Sequence, residues 1–188
     1  MEQAKQLLRE EIKQKCKEIK EIHAQVAATH LRNNIQPLID RANHIAIYHA
    51  YLWEISLAPI IKYAQKKGKP LYQPIAYKHT KFMKCDVYNP SLTNIFYPPE
   101  FVLQDEMPWY NLDLILLPLV AVDKNGYRLG KGGGYYDTTL LDISKSKSHS
   151  ILCGVGFESQ LVEVVPKHEW DIKLDYFASD KELIKFTN

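Results

Sequence analysis

Hydrophobic residues recur at helical spacing along the first part of the chain. The apolar positions are Leu8, Ile12, Cys16, Ile19 and Val26. Lys and Glu fill the positions between them, as in an amphipathic helix that lies with one face on a core. The pattern predicts an N-terminal helix and then a second helical stretch to about Ala42, which Pro37 should interrupt or restart.

From residue 44 the pattern changes to short apolar runs separated by turn residues. The runs are HIAIYHA (44 to 50), KPLYQPIA (69 to 76), LDLILLPLVAV (112 to 122), HSILCGVGF (149 to 157) and YFAS (176 to 179). Each predicts a strand, and the near-continuous third run is typical of a central strand covered on both faces. Between the first two runs, Ser56 is a candidate cap for a helix that ends at Gly68.

This alternation of strands and helices predicts an α/β protein. We expect three layers, α/β/α, around a mostly parallel, Rossmann-like open sheet. The segment 77 to 111 contains four of the ten prolines, and we expect a hairpin or long loops there. Ligands of such folds bind beyond the carboxyl ends of the strands, where a loop that follows 112 to 122 would arrive.

Length, composition and charge favour one soluble domain, residues 1–188. The chain is 46% hydrophobic and 24% charged, which is typical of a globular protein. Its 24 basic and 22 acidic residues leave a net charge of +2. This charge is too small to produce a strong overall field that would attract a polyanion. No stretch approaches the roughly 20 apolar residues of a membrane span, and the charged N-terminus does not resemble a signal peptide. We therefore expect a cytoplasmic monomer that binds neither membranes nor nucleic acids.

The three cysteines, Cys16, Cys85 and Cys153, are far apart in the sequence. They lack the Cys-x-x-Cys spacing of zinc sites and redox pairs. We expect reduced, buried thiols.

Residues 128 to 137, RLGKGGGYYD, hold four of the eight glycines within five positions. The turn signal DKNG (123 to 126) precedes this loop, and a helix is predicted to begin near Tyr135. A glycine-rich loop that leads into a helix presents free N–H groups and the positive end of the helix dipole, which together bind phosphate. Arg128 and Lys131 would add positive charge, and Asp137 could hold a Mg²⁺ ion.

The familiar phosphate-binding motifs do not fit this loop. GYRLGKG has three residues between its first glycine and Gly-Lys, where a P-loop has four, and Tyr135 occupies the third glycine position of G-x-G-x-x-G. A purely structural turn is the alternative interpretation, although a turn needs only one or two glycines. The pattern alone thus predicts a phosphate site and no particular reaction.

RLGKGGGYYD resembles the signature of the 5-formyltetrahydrofolate cyclo-ligase family, the methenyltetrahydrofolate synthetases, which is Arg-Leu-Gly-x-Gly-x-Gly-Tyr-Tyr-Asp. Three further segments are similar to family motifs: KQLLR (5 to 9), DLILLPLVAVDKNG (113 to 126) and QLVEVVPKHEWDIKLD (160 to 175). The resemblance therefore spans nearly the whole chain. Leu119 stands where the family usually has glycine, Val122 where it has phenylalanine, and Tyr97 where many members have an acid.

The resemblance implies ATP-dependent closure of 5-formyltetrahydrofolate to 5,10-methenyltetrahydrofolate, with release of ADP and phosphate. It implies that the γ-phosphoryl group moves to the formyl oxygen, after which N10 attacks the activated carbon and phosphate departs. ATP is the implied co-substrate, Mg²⁺ the implied cofactor, and a small folate, possibly polyglutamylated, the implied partner.

The resemblance also implies roles for individual residues. The implied ATP-binding residues are Lys5, Arg9, Arg128, Leu129, Gly130, Lys131, Gly132, Gly133, Gly134, Tyr135 and Tyr136. The implied folate-binding residues are Arg9, His49, Glu54, Lys131, Gly132, Gly133, Gly134 and Tyr135. Arg128, Lys131 and Tyr135 are the expected catalytic residues, and Asp137 and Asp171 the expected Mg²⁺ ligands.

Two other classes stay open on the residues alone. One is another phosphate-handling enzyme of similar fold, such as a sugar-phosphate isomerase or a CoA-transferase-like enzyme. Fold analogy alone cannot distinguish these enzymes from a cyclo-ligase. The other is a nucleic-acid or partner-binding module that uses the basic helix 5 to 20, where Lys5 and Arg9 would be solvated surface charges. Glu10, Glu11 and Glu18 lie on that helix and favour a solvated face over a polyanion site.

Overall fold

The computed structural model describes residues 1–77, 80–145, 150–168 and 171–187. The helices in these ranges are α1 (Glu2–Lys17), α2 (Glu21–Arg41), α3 (Ala58–Lys66) and α4 (Tyr135–Lys145). The strands in these ranges are β1 (Ile45–Ala46), β2 (Leu71–Tyr77), β3 (Met83–Val87), β4 (Phe96–Tyr97), β5 (Leu114–Pro118), β6 (Ala121–Asp123), β7 (Arg128–Leu129), β8 (Ile151–Val155), β9 (Leu161–Val162), β10 (Tyr176–Ala178) and β11 (Leu183–Lys185). None of the described helices is long and apolar enough to cross a membrane.

The main sheet has eight strands within the described residues and is mostly parallel. Its order is β11-β10-β8-β5-β1-β2-β3, and β4 pairs with the end of β2. Neighbouring strands from β10 to β2 run parallel, as does β4 beside β2, whereas the edge strands β3 and β11 are antiparallel. The predicted α/β fold with a mostly parallel open sheet is confirmed.

Both faces of this sheet are covered. In β5, Leu114 and Leu116 point into a core shared with α1, α2 and α3, whereas Ile115 and Leu117 point into a second core that includes Leu140 of α4. Alternate side chains of a strand point to opposite faces, so an unbroken apolar run fills both cores. This arrangement gives the three predicted layers.

The predicted single strand at 112 to 122 is in fact two strands in different sheets. β5 ends at Pro118, which has no N–H to donate to a ladder. The chain then enters β6, which pairs with β7 and β9 in a three-stranded second sheet. A tight turn at Gly126, whose φ is +87°, returns the chain along β7 and delivers the glycine loop beside the end of β5.

The prediction that Pro37 interrupts the second helix is wrong. The helical break lies at residues 18–20, and α2 continues through Pro37 to Arg41. Four buried side chains on the same helix, Leu31, Ile35, Leu38 and Ile39, are at most 3% exposed, and this tertiary packing outweighs the one backbone hydrogen bond that proline removes. Val26 was expected on the core face, but it lies on α2 and is 50% exposed.

The remaining strand predictions place the elements correctly and overestimate their lengths. The run 44 to 50 supplies only the two residues of β1, and the run 149 to 157 supplies β8, with residue 149 outside the described residues. The segment 77 to 111 supplies only the second strand of a hairpin, β3, which pairs antiparallel with the preceding β2. Strands β4, β7, β9 and β11 were not predicted.

The cysteines and the helix signals behave as expected. Cys16, Cys85 and Cys153 are buried and free, and burial raises the pKa of Cys16 to about 11. The N–H of Ala58 in α3 donates to the Ser56 hydroxyl at 3.2 Å. Gly68, with φ of +67°, follows the last turn of α3 in the left-handed conformation typical of a C′ glycine.

Leu119 and Val122, the two apolar departures from the family motif, lie in the core at 1% and 0% exposure. Leu119 fills space next to Gly154 of β8. A Cβ atom at Gly154 would lie 2.6 Å from both Leu119 Cδ2 and Leu174 Cδ1. Position 154 therefore has no room for a Cβ atom while leucine occupies position 119.

We expect Gly154→Ala to lower the free energy of unfolding by about 1–3 kcal/mol, because the added methyl group overpacks this contact. Urea denaturation measures the change. Leu119→Ala in the same chain should remove part of the overlap, so the double variant should lose less stability than the sum of the single variants. Additive losses would show that Leu119 does not set the requirement for glycine.

Candidate active site

Two cavities adjoin the glycine loop at the carboxyl ends of β1 and β5. The larger has a volume of about 520 Å³ and the smaller about 310 Å³. Tyr48, which follows β1, and Pro118, which ends β5, line the larger cavity. The ligand crevice therefore lies where the topology of an open α/β sheet predicts it.

The larger cavity is mostly aromatic and apolar. Besides the glycine loop, it is lined by Tyr48, His49, Ala50, Tyr51, Leu52, Thr93, Asn94, Ile95, Phe96, Pro118, Arg128, Tyr135, Tyr136 and Asp137. Phe96 and Tyr135 meet edge to face with ring centroids 5.2 Å apart. Such a cavity fits a flat, drug-sized heterocycle, for which sites of about 300–1,000 Å³ are typical.

The smaller cavity is lined mainly by charged side chains. Those side chains belong to Glu2, Lys5, Arg9, Arg128, Asp137, His168 and Asp171. The backbone of the glycine loop, with Leu129, completes the wall. Cations and carboxylates around exposed backbone N–H groups suit a phosphate chain and its counterion.

The glycine loop is the wall between the two cavities. Gly130, Gly132 and Gly134 line both of them. The φ angles of Gly132 and Gly134 are +95° and +73°, a conformation that side chains with a Cβ rarely adopt. A Cβ at Gly132 would also lie 3.5 Å from the Arg9 guanidinium carbon, so the loop and α1 approach closely.

Helix α1 supplies the cations on the other side of that wall. Lys5 and Arg9 lie one turn apart on the same face. Arg9 Nε donates a hydrogen bond of 3.0 Å to the carbonyl oxygen of Gly130, and Lys5 Nζ lies 3.2 Å from Asp171 Oδ2. Lys5 is only 8% exposed. The two residues are thus inside the site, and the interpretation of them as solvated surface charges is wrong.

Arg128 and Asp137 form a short ion pair between β7 and α4. Arg128 Nη2 donates to Asp137 Oδ1 at 2.6 Å, and the Arg128 side chain is 4% exposed. Arg128 Nε has no hydrogen-bond partner, and the guanidinium also lies 5.9 Å from the Tyr136 ring. A buried guanidinium with an unpaired N–H donor can form a further charge-assisted hydrogen bond with an anion.

The two predicted metal ligands line the same small cavity. Asp137 is held by Arg128, and Asp171 by Lys5 and by the N–H of His168 at 2.9 Å. Within the described ranges no three His, Cys, Asp or Glu side chains cluster as a metal site. Two carboxylates at a cavity of charged side chains match the ligands of Mg²⁺, which proteins often hold by one or two carboxylates and by oxygens of a bound phosphate.

Glu54 does not line either cavity, because Lys131 covers it. Lys131 Nζ lies 2.8 Å from Glu54 Oε1, and the Glu54 side chain is 3% exposed. The same ammonium lies 3.9 Å from the ring centroid of Tyr51 and 5.4 Å from that of Trp53. The cluster of Tyr51, Trp53, Glu54 and Lys131 therefore connects the 51 to 54 turn with the glycine loop.

His49 lines the larger cavity beside a buried glutamine. Burial lowers the pKa of His49, and the neighbouring Gln73 amide acts in the opposite direction. Gln73 is 0% exposed, and His49 Nε2 is a buried nitrogen without a hydrogen-bond partner. A neutral imidazole presents one donor and one acceptor to a ligand at neutral pH.

The structure places the other predicted site residues as follows. Leu129 lines the smaller cavity, while Lys131, Gly133, Tyr135 and Tyr136 line the larger one. Burial raises the pKa of Tyr136 well above its ordinary value. Tyr97, the third departure from the family motif, packs on Phe101 with ring centroids 4.3 Å apart, and its neighbour Phe96 faces the cavity instead.

Sequence analysis assigned no role to eleven lining residues, although two of them, Pro118 and His168, lie in segments similar to family motifs. These are Glu2 and His168 at the smaller cavity, and Tyr48, Ala50, Tyr51, Leu52, Thr93, Asn94, Ile95, Phe96 and Pro118 at the larger one. The proline-rich segment 77 to 111 was the available signal, since long loops in compact domains often carry function. Nothing in its pattern showed that residues 93–96 would return to the sheet beside β2.

The chain matches the family model described as the 5-formyltetrahydrofolate cyclo-ligase family over residues 1–178. It is 36% identical over 140 residues to the 5-formyltetrahydrofolate cyclo-ligase of Haemophilus influenzae, covering 71% of this chain and 74% of the relative. It is 31% identical over 156 residues to the cyclo-ligase of Escherichia coli K12, covering 80% and 84%.

Two solved structures share the fold. The 5,10-methenyltetrahydrofolate synthetase of Aquifex aeolicus superposes with a TM-score of 0.80 at 25% identity, covering 98% of this chain and 93% of that one. The synthetase of Mycoplasma pneumoniae gives 0.73 at 22% identity, covering 94% and 98%. The similarity therefore extends over both cavities and the glycine loop.

We expect the burial of His49 to make stability fall as the pH falls. Because its folded pKa lies below the ordinary value of 6.5, the unfolded chain binds the proton first on acidification. The free energy of unfolding that depends on neutral His49 is fully present above pH 6.5 and is lost as the pH falls below that value. In His49→Gln, the unfolding free energy should lose less between pH 7 and pH 5 than in the wild type. A steeper loss in the variant, or an NMR titration midpoint of His49 at or above 6.5, would contradict this assignment.

Proposed function

The chain belongs to the 5-formyltetrahydrofolate cyclo-ligase family, and we propose that its two adjoining cavities hold the two substrates of that reaction. The chain is a 5-formyltetrahydrofolate cyclo-ligase, and its family implies the use of ATP and a folate. The observation that carries the proposal is the glycine wall, which separates a cavity of charged side chains from an aromatic one. A phosphate on one side of such a wall lies next to a heterocycle on the other.

In the proposed reaction, the formyl oxygen of 5-formyltetrahydrofolate attacks the γ-phosphorus of ATP, and the bond to ADP breaks. N10 then attacks the activated formyl carbon and gives up its proton to the departing phosphate or to water, while the bond from carbon to phosphorylated oxygen breaks and phosphate leaves with the electron pair. An amide-like oxygen leaves poorly until it is phosphorylated, which is why ATP is consumed. The protein contributes positioning and charge neutralisation.

ATP phosphates occupy the smaller cavity in this proposal. Lys5, Arg9 and Arg128 surround it, and the N–H groups of the glycine loop and the first turn of α4 add their dipoles. Arg128 is the strongest candidate for charge neutralisation, because its Nε is buried and unpaired. Its partner Asp137 keeps the guanidinium oriented until the phosphates arrive.

Asp137 and Asp171 would hold Mg²⁺ at the same cavity. When bound, the ion would neutralise phosphate charge and orient the phosphate chain. Each carboxylate is now paired with a cation, Asp137 with Arg128 and Asp171 with Lys5. Exchange of these partners would turn Arg128 and Lys5 towards the phosphates.

The folate occupies the larger cavity, where Phe96 and Tyr135 offer flat apolar contacts. Glu54 would accept hydrogen bonds from the pterin N–H groups, and His49 would add a neutral donor and acceptor on the wall. Lys131 on the loop and Tyr135, the first residue of α4, line the larger cavity next to the glycine wall, where the phosphoryl group is transferred. Binding of polyglutamylated folates and a monomeric state stay predictions.

The two alternatives from the residues are less well supported. An isomerase or a transferase of similar fold consumes no ATP, whereas the family to which the chain belongs implies ATP use. A nucleic-acid site on α1 is disfavoured because Lys5 and Arg9 face the smaller cavity and because the exposed Lys15 pairs with Glu11, so the outward face carries charges of both signs.

The direct test is the growth of the methenyl-folate absorbance from 5-formyltetrahydrofolate and Mg²⁺, with and without ATP. Absorbance that grows only with ATP supports the proposed reaction. No growth under conditions in which both ligands bind would overturn it.

We expect Lys5→Ala to raise the KM for ATP by about tenfold or more, because a charge-assisted contact to phosphate is lost. The same absorbance assay measures it at saturating folate. Lys15→Ala on the same helix is the matched control, since Lys15 is half exposed and remote from the cavity. An effect on the folate KM alone would assign Lys5 to the other ligand.

We expect Asp137→Asn to lower kcat by about 100-fold while the fold is kept, because the 52% exposed side chain adds little packing and asparagine retains an oxygen acceptor for Arg128. Mg²⁺ titrations of activity should show a weaker apparent affinity for the ion. Glu163→Gln, at an exposed ion pair away from both cavities, is the control. Unchanged Mg²⁺ dependence in Asp137→Asn would exclude this residue as a metal ligand.

A further inference from the structure

One oxygen of the Glu54 carboxylate accepts a backbone hydrogen bond, whereas the other is ion-paired with Lys131 and has no hydrogen-bond partner. Glu54 Oε2 accepts from the N–H of Tyr51 at 2.8 Å, and the N–H of Glu54 donates to the carbonyl of Tyr51 at the same distance. Glu54 Oε1 lies 2.8 Å from Lys131 Nζ. A ligand that binds this carboxylate must therefore take the place of Lys131.

Lys131 is the part of this pair that faces the ligand space. It lines the larger cavity and its side chain is 35% exposed, whereas Glu54 is 3% exposed and lines neither cavity. The rings of Tyr51 and Trp53 hold the ammonium group through cation–π contacts in this position. The lysine therefore closes the path from the cavity to the carboxylate.

The backbone around Lys131 allows the side chain to leave. Glycines flank it on both sides, and Gly132 already has a φ of +95°. Both of these glycines line the two cavities together, so the lysine is attached to the wall between them. An ammonium group released from Glu54 remains next to any phosphate that reaches this wall.

We propose that Lys131 couples the two substrates: folate binding to Glu54 releases Lys131, which then binds the transferred phosphoryl group. This role rests on the proposed function, in which Glu54 accepts from the pterin. The ion pair keeps the cation away from the phosphates until the folate is present. By thermodynamic linkage, folate strengthens ATP binding and ATP strengthens folate binding by the same factor.

The test is the Kd of a non-hydrolysable β,γ-imido ATP analogue with Mg²⁺, measured by calorimetry without and with saturating 5-formyltetrahydrofolate. In the wild type, folate should tighten nucleotide binding about fivefold or more, a factor typical of coupled sites. In Lys131→Met, the factor should fall to about one. Equal factors in the two proteins would overturn the role of Lys131.

Two further variants separate coupling from general damage. Lys13→Met removes a different cation, 5.9 Å from the same Trp53 ring, and should keep the wild-type factor. Glu54→Gln leaves Lys131 without its anionic partner, so the nucleotide analogue should bind more tightly than to the wild type in the absence of folate. Weaker or unchanged nucleotide binding in folded Glu54→Gln would contradict the release mechanism.

Release of Lys131 also has a spectroscopic signature. The indole N–H resonance of Trp53, assigned by its loss in Trp53→Phe, should move on folate addition towards its position in Lys131→Met. A resonance that stays in place while folate binds would show that the ammonium remains in the cluster.

Failure of the proposed function and failure of this coupling give different results. If the wild type neither binds 5-formyltetrahydrofolate nor forms the methenyl chromophore, both proposals fall. If it does both, but the nucleotide Kd does not depend on folate, the reaction stands and the coupling by Lys131 is overturned.

Discussion

The contact between α1 and the glycine loop is the constraint on which the site depends. Arg9 Nε donates to the carbonyl of Gly130, and a Cβ atom at Gly132 would lie in van der Waals contact with the guanidinium, 3.5 Å from its central carbon. This contact lets the loop form a thin wall with a cavity on each side. Without it, the cations of α1 and the aromatic pocket would belong to separate parts of the surface.

Most charged side chains of the site form ion pairs with one another, and a charged ligand could take the place of one partner. Three of the ion pairs among the described site residues, Lys5 with Asp171, Arg128 with Asp137 and Lys131 with Glu54, each join two different segments of the chain. A buried ion pair adds little net stability, because desolvation offsets most of the attraction. Such pairs would therefore suit a site in which each charged side chain exchanges its internal partner for a ligand group: a phosphate, a metal ion or a polar group of a heterocycle.

The fold brings these segments together through the switch between two sheets. β5 ends at Pro118, β6 and β7 form a small second sheet, and the chain returns to the main sheet edge as the glycine loop. The turn at Gly126 makes this return short. As a result, the ends of β1 and β5, the glycine loop and α4 surround one crevice.

The sequence by itself determined the α/β class, the glycine loop and the start of α4, and it predicts roles for Arg128, Lys131 and Asp137. Those features are local: periodicity, turn residues and residue type act within a few positions. Residue type alone assigned Lys5 and Arg9 to solvent, and only the family motif marked them as site residues. Only the tertiary structure showed that they face the loop, that α2 continues through Pro37, that residues 93–96 line the cavity and that Lys131 covers Glu54. These features depend on contacts between segments that are distant in the sequence. The packing energy of such contacts outweighs local preference, and the contacts produce no periodic pattern in the sequence.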